Sequence, residues 1–116
     1  VQLPGEYASL GGVILMQLGE TRVAGTASLR PAGDGVAELR RVYVRPTERG
    51  RGYGRALVVE VLARARRAGY ARVRLETLDA MSEAIALYES LGFVLEGEEE
   101  GVRRYEKKWI VDSDSG

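Results

Sequence analysis

Six consecutive residues, Arg49-Gly50-Arg51-Gly52-Tyr53-Gly54, set three glycines at alternate positions beside two arginines, just ahead of an amphipathic stretch. Glycine adopts positive φ freely and lets a ligand come close to the main chain, so such a run can aim successive N–H groups at one point. Those groups then meet the positive end of a helix, an arrangement that binds phosphate and suits a pyrophosphate. Arg51 and Arg55 lie close enough to the turn to reach phosphate oxygens. The plainer alternative is a flexible connection softened by glycine. Two familiar phosphate motifs do not fit. A Walker A loop needs Gly-Lys followed by Ser or Thr, and a dinucleotide fingerprint begun at Gly50 wants Gly or Ala where Arg55 stands.

What else the chain can do is narrowed by what it lacks. Its 116 residues contain no cysteine and no histidine. A Ser-His-Asp hydrolase, a Cys-His transferase and a His-ligated zinc site are therefore excluded within the chain. Carboxylates, tyrosines, backbone amides and a bound cofactor remain, and no metal is expected. Charged residues at 29% and apolar residues at 45% describe an ordinary globular domain, and Lys plus Arg balances Asp plus Glu at 17 each. No global field draws it to nucleic acid or an anionic membrane. With no membrane-length apolar run and no signal-peptide pattern, the expected location is cytoplasmic.

The elements that must hold the turn follow from periodicity. Gly12–Leu18 and Thr21–Leu29 read as a hairpin, Pro31–Gly35 as a loop and Val36–Val44 as a third strand ending before Pro46. From Gly54 to Ala68, Leu57, Val58, Val61, Leu62 and Ala65 mark one face of a helix, with arginines opposite. Gly69 ends it, and Ala71–Thr77 alternates as a strand, so the strands flanking the helix should be parallel. Ser82 is placed to cap a second helix lined by Ala84, Ile85, Leu87, Tyr88 and Leu91. Phe93–Leu95 and Val102–Ile110 complete the sheet around an acidic turn, Glu96–Gly101. The expectation is one α/β domain over 1–110, a mixed sheet of about six strands with flanking helices, then a polar tail at 111–116.

Arg49, Gly52 and Gly54 satisfy the pattern Arg or Gln, two residues, Gly, one residue, Gly or Ala. With ELRRVYVRPTERGRGYGRAL before the helix and ALYESLGF after it, the chain resembles the GNAT acetyltransferases from about Gly12 to the last strand. The resemblance implies a turn that wraps the pyrophosphate of acetyl-CoA, and strand amides at Val42 to Val44 along the pantetheine arm. It also implies a tyrosine, Tyr88, near the sulfur. Tyr43 and Tyr53 are either structural or flank the cofactor. The chain departs from the family in having Met81 where many members carry asparagine. Only VQLPGEYASLG precedes the hairpin, so the sequence reads as lacking the usual N-terminal helices.

The function expected is transfer of an acetyl group from acetyl-CoA directly to an amine, small-molecule or peptide. An ammonium with pKa of about 10.4 must lose a proton before it attacks. With no histidine present, Glu38 on the strand entering the turn is the candidate base, directly or through water. A strand amide near Val42 or Val44 is the candidate oxyanion donor, and Tyr88 the candidate acid. The plainer readings are that Glu38 is a solvated strand residue pairing with Arg40 or a neighbour, and that Tyr88 is core. A CoA-binding module without catalysis is the alternative function. A single-strand nucleic-acid binder built on RGRGYGR fits poorly with the bracketing strand and helix. Val102–Ile110, taken as an edge strand, would offer a surface for a homodimer.

Overall fold

The computed structural model describes residues 6–10, 12–18 and 22–109. The strands are β1 (Glu6–Leu10), β2 (Val13–Leu18), β3 (Arg22–Gly33), β4 (Val36–Val44), β5 (Arg72–Leu78), β6 (Val94–Glu99) and β7 (Val102–Lys108). Helix α1 (Tyr53–Arg67) joins β4 to β5, and α2 (Ser82–Ser90) joins β5 to β6. All seven strands form one mixed sheet in the order β1-β2-β3-β4-β5-β7-β6. The six expected strands are all present. β1, in the short stretch ahead of the hairpin, is an additional one, paired antiparallel to β2. Ile110 and the polar tail lie outside the described residues.

Helix α1 forms because Tyr53, Ala56, Leu57, Val58, Val61, Leu62 and Ala65 recur at helical spacing, and all are buried on the sheet. Small residues let it settle closely. Ala24, Ala27 and Ala37 lie beneath it with no exposed surface. At Gly25 an added Cβ would stand 2.6 Å from the Tyr43 carbonyl oxygen and 2.8 Å from Leu57 Cδ1. The β4–α1–β5 crossover joins parallel strands, as expected. Right-handed crossovers put α1 and α2 on one face of the sheet, where Ile85, Tyr88 and Phe93 share a single core with α1.

Three boundaries differ from expectation. β3 runs on through Pro31, which a register irregularity between Pro31 and Gly33 accommodates, so the loop shrinks to Asp34-Gly35. β6 continues through Glu96–Glu99, because exposed acidic residues are tolerated on an edge strand. Ser82 is the first residue of α2 rather than its cap; Met81 occupies the cap and provides no side-chain bond. One expectation is overturned. β7 is bracketed by β5 and β6, so Val102–Lys108 offers no free edge, and the outer strands are β1 and β6.

The feature that matters most for function lies at the middle of the sheet. β4 and β5 pair over only three rungs, Val36–Arg72, Ala37–Val73 and Glu38–Arg74. Beyond them β4 follows β3 while β5 follows β7, so the two strands splay apart. A bulge in β4 accompanies the parting: the register slips between Thr26 and Ser28, and Arg41 takes φ 56°.

Candidate active site

The end of β4 presents its main chain to the gap. The Arg45 N–H donates to the Ala24 carbonyl at 2.9 Å, so it faces β3. Alternation along a strand turns the amide and carbonyl of Val44 the other way, and the Val44 carbonyl accepts from Arg49 Nε at 2.9 Å on that side. Val42, two residues earlier, shares the orientation. Both amides therefore point where β5 has departed.

Next comes a short 3-10 turn, Pro46–Glu48, then Arg49 in an extended conformation. Gly50 and Gly52 both have φ 81°, a left-handed setting that explains glycine at both positions. Gly52 is the N-cap of α1 and gives no side-chain cap, and the first turn contains no acidic residue. The leading amides of α1 are thus left for an external acceptor at the positive end of the dipole. Gly54 sits where α1, β4 and α2 meet: an added Cβ would lie 3.7 Å from Val44 Cγ2 and 3.9 Å from Leu87 Cδ2. Arg49 also joins Ala80–Ala84 in lining a cleft of about 490 Å³ at the start of α2.

The arginine side chains are engaged within the protein. Arg49 stacks on Tyr43 with its guanidinium carbon 5.7 Å from the ring centroid, over a tyrosine that is 49% exposed. Arg55 donates to Ser90 Oγ at 2.9 Å, which ties α1 to α2. Arg51 lies 3.8 Å from Glu48. These contacts brace the turn, while the Arg51 side chain is 62% exposed beside it. Tyr53 is buried in the core, so its amide alone belongs to the turn.

Glu38 and Tyr88 lie on opposite faces of the sheet. Glu38 stands between Ala37 and Leu39, which point into the helical core, and so it projects to the other face. It has 17% side-chain exposure, and its Oε1 accepts from Arg30 Nε at 3.2 Å. The bland expectation of a cross-strand ion pair is thereby met, with Arg30 rather than Arg40 as partner, while Oε2 has no hydrogen bond among the described residues. Tyr88 is 8% exposed on the helical face and packs edge-on against Phe93 at 5.7 Å. Burial pushes its phenol above the usual tyrosine value, so it is a proton donor at neutral pH. Its hydroxyl has no hydrogen-bond partner among the described residues.

Two carboxylates escaped the sequence reading. Glu48, 5% exposed inside the turn, lies between Arg22 at 3.5 Å and Arg51, and its Oε1 is buried without a hydrogen bond. Its neighbours Thr47 and Arg49 gave no sign of burial. Glu76 follows Leu75 on β5, on the same face as Glu38, and both line one cleft beside the splay. Its place in an alternating strand looked like a solvated position, and only the parting of β4 from β5 makes it part of the site.

A domain model described as the acetyltransferase (GNAT) family matches residues 6–93. The chain belongs to the GNAT acetyltransferase family. An N-acetyltransferase of Schizosaccharomyces pombe, itself uncharacterised, is 37% identical over 90 residues, covering 76% of this chain and 55% of that protein. The N-acetyltransferase YjgM of Escherichia coli is 41% identical over 69 residues, covering 60% of this chain and 41% of its own. This GNAT chain thus spans about half the length of these curated relatives. Among solved structures, an acetyltransferase of Bacillus subtilis in complex with CoA superposes with TM-score 0.77 at 17% identity, covering 84% of this chain and 76% of that one. The PaiA N-acetyltransferase of Thermoplasma acidophilum, in complex with coenzyme A, gives TM-score 0.77 at 23% identity, with coverage of 84% and 60%. The fold of this GNAT domain is therefore that of known acetyltransferases.

Proposed function

We propose that this GNAT domain moves an acetyl group from acetyl-CoA directly to an amine. The observation that carries the reading is the splay between β4 and β5 with the uncapped, glycine-lined start of α1 at its mouth. In this reading the Arg49–Gly54 amides hold the pyrophosphate, and the pantetheine arm runs past Gly54 between Val44 and Leu87. The arm takes the place of the missing strand and bonds to the amides of Val42 and Val44. The CoA-bound neighbours of like fold support this reading.

The acceptor reaches the thioester from the polar face. Its ammonium loses one proton to Glu38 through water, since Glu38 Oε1 is already held by Arg30. The free nitrogen lone pair attacks the acetyl carbonyl carbon, and the oxygen becomes an oxyanion that accepts from the Val42 or Val44 amide. Collapse breaks the C–S bond, the nitrogen releases its second proton to solvent water as the amide forms, and the sulfur leaves as a thiolate. Tyr88 donates toward that sulfur. Complete transfer from a phenol to a thiolate is uphill by about 2 kcal/mol on ordinary values, and the raised phenol of Tyr88 steepens it. Tyr88 therefore stabilises the leaving thiolate mainly as a hydrogen-bond donor.

Calorimetric titration with acetyl-CoA and CoA, against a Gly52→Asp, Gly54→Asp variant, tests the cofactor site. Binding that disappears in the folded variant supports the turn. Equal binding by both proteins rejects it. Binding without transfer to any amine would leave a CoA-binding module in place of an enzyme.

A further inference from the structure

Beside the splay, on the face away from both helices, an open cleft of about 460 Å³ is lined by Arg30, Glu38, Leu39, Arg40, Arg41 and Glu76. Its charges do not cancel. Arg30 and Glu38 neutralise each other at 3.2 Å. Arg40, Arg41 and Glu76 have no ion pair among the described residues. The remainder is two guanidinium groups against one carboxylate, in a chain whose cationic and anionic residues balance at 17 each.

The bulge in β4 produces this concentration. In a regular strand Arg40 and Arg41 would project to opposite faces. With Arg41 in the left-handed region at φ 56°, both line the same cleft. A non-glycine residue held there is strained, and such strain clusters at functional positions.

We infer that the acceptor is a small primary amine carrying its own anionic group, a carboxylate or a phosphate ester. The anion sits on Arg40 and Arg41, and the nitrogen faces Glu76 and Glu38. This rests on the transfer reaction proposed above. Guanidinium groups present planar, paired donors that match either anion. They also disfavour an ammonium beside them, which promotes the loss of the proton that blocks attack. A polyamine meets two like charges and one carboxylate, and is disfavoured for the same reason. The cleft is large enough to admit a molecule of amino-acid size.

The test compares kcat/KM, read as release of free CoA thiol at saturating acetyl-CoA, for matched acceptors: amino acids with their amides, phosphoethanolamine with ethanolamine, and spermidine. The expected result is at least a tenfold preference for the acidic member of a pair. The pair that shows it tells carboxylate from phosphate. That ratio should fall at least fivefold in Arg40→Gln and in Arg41→Gly, the second of which keeps the left-handed backbone. Amides or spermidine serving as well as the acids would overturn the inference, as would an unchanged ratio in both folded variants. Acetyl-CoA binding with no transfer to any acidic amine overturns it while leaving the cofactor site standing. Loss of acetyl-CoA binding overturns both.

Discussion

Gly52 and Gly54 are two residues apart in the proposed pyrophosphate turn, yet replacing each by alanine should move stability in opposite directions. Gly52 has φ 81°, where an L-residue costs about 1–2 kcal/mol, and an added Cβ would meet nothing within 4 Å. The penalty is conformational, not steric. Gly54 lies inside α1 with no positive φ, and its Cβ would make ordinary contacts at 3.7 and 3.9 Å. There alanine gains about 0.8–1 kcal/mol of helix propensity. For a chain of 116 residues the unfolding entropy is about 0.24 kcal/mol per degree. Gly52→Ala should therefore lower Tm by about 4–8 °C, and Gly54→Ala should raise it by about 3–4 °C. Ligand linkage reads the site in the same assay. CoA at about 100 times its Kd stabilises by about 2.7 kcal/mol, near 11 °C here. Gly54→Ala should lose part of that shift, because its Cβ stands between Val44 and Leu87 in the path of the pantetheine arm. Gly52→Ala should lose most of it, because escape from the left-handed region rotates the turn amides away from a common point. A Gly52→Ala protein that is folded, destabilised as expected and still shifted about 11 °C by CoA would refute the idea that this backbone setting creates the anion site.

Glu38→Gln should lower kcat by about 10²- to 10⁴-fold with little change in acetyl-CoA affinity, the usual worth of a positioned base. A comparable loss in Glu76→Gln with Glu38→Gln nearly silent would transfer the role across the splay. Tyr88→Phe should reduce kcat while leaving CoA affinity within about threefold, checked by steady-state kinetics beside calorimetry. Because burial raises the Tyr88 phenol, its contribution to stability is fully present below the unfolded value of about 10 and is lost as pH rises through the higher folded value. Wild type should thus show an alkaline destabilisation above pH of about 10 that is weaker in Tyr88→Phe, as thermal melts across that range would reveal. Gly25→Ala must push Leu57 or the Tyr43 carbonyl aside, and should cost about 1–3 kcal/mol in denaturant unfolding. No loss there would mean that α1 sits farther from β3 than described.

Periodicity revealed most of this domain because most of its elements bury one face. The α1 stripe and the Val73–Leu75 alternation each report burial directly. β1 was missed because Glu6–Leu10 is short and lacks that alternation, and pairing with β2 defines it instead. The glycine turn was legible because positive φ narrows the choice of residue. Gly54 is the instructive exception: its φ does not demand glycine, and its place between Val44 and Leu87 emerges only when three elements come together. Other parts could not be read from local sequence. That Glu38 and Tyr88 occupy opposite faces depends on both the strand alternation and the hand of two crossovers. The burial of Glu48 depends on Arg22, distant in sequence, reaching over it. The grouping of Arg40 with Arg41 depends on a bulge that no residue type announces.

The three-rung contact between β4 and β5 also has a mechanical meaning. The sheet consists of two plates, β1 to β4 on one side and β5, β7 and β6 on the other, hinged along a short seam at Val36–Glu38 and Arg72–Arg74. Helix α1 lies across the seam like a splint, and the Arg55–Ser90 bond fastens its leading end to α2. The width of the gap is therefore governed by how firmly α1 grips both plates, more than by the strands beside it. A ligand wedged between β4, α1 and α2 would lock the hinge. Its imprint in hydrogen exchange should then extend beyond the residues it touches to the seam amides of Ala37, Arg72 and Arg74.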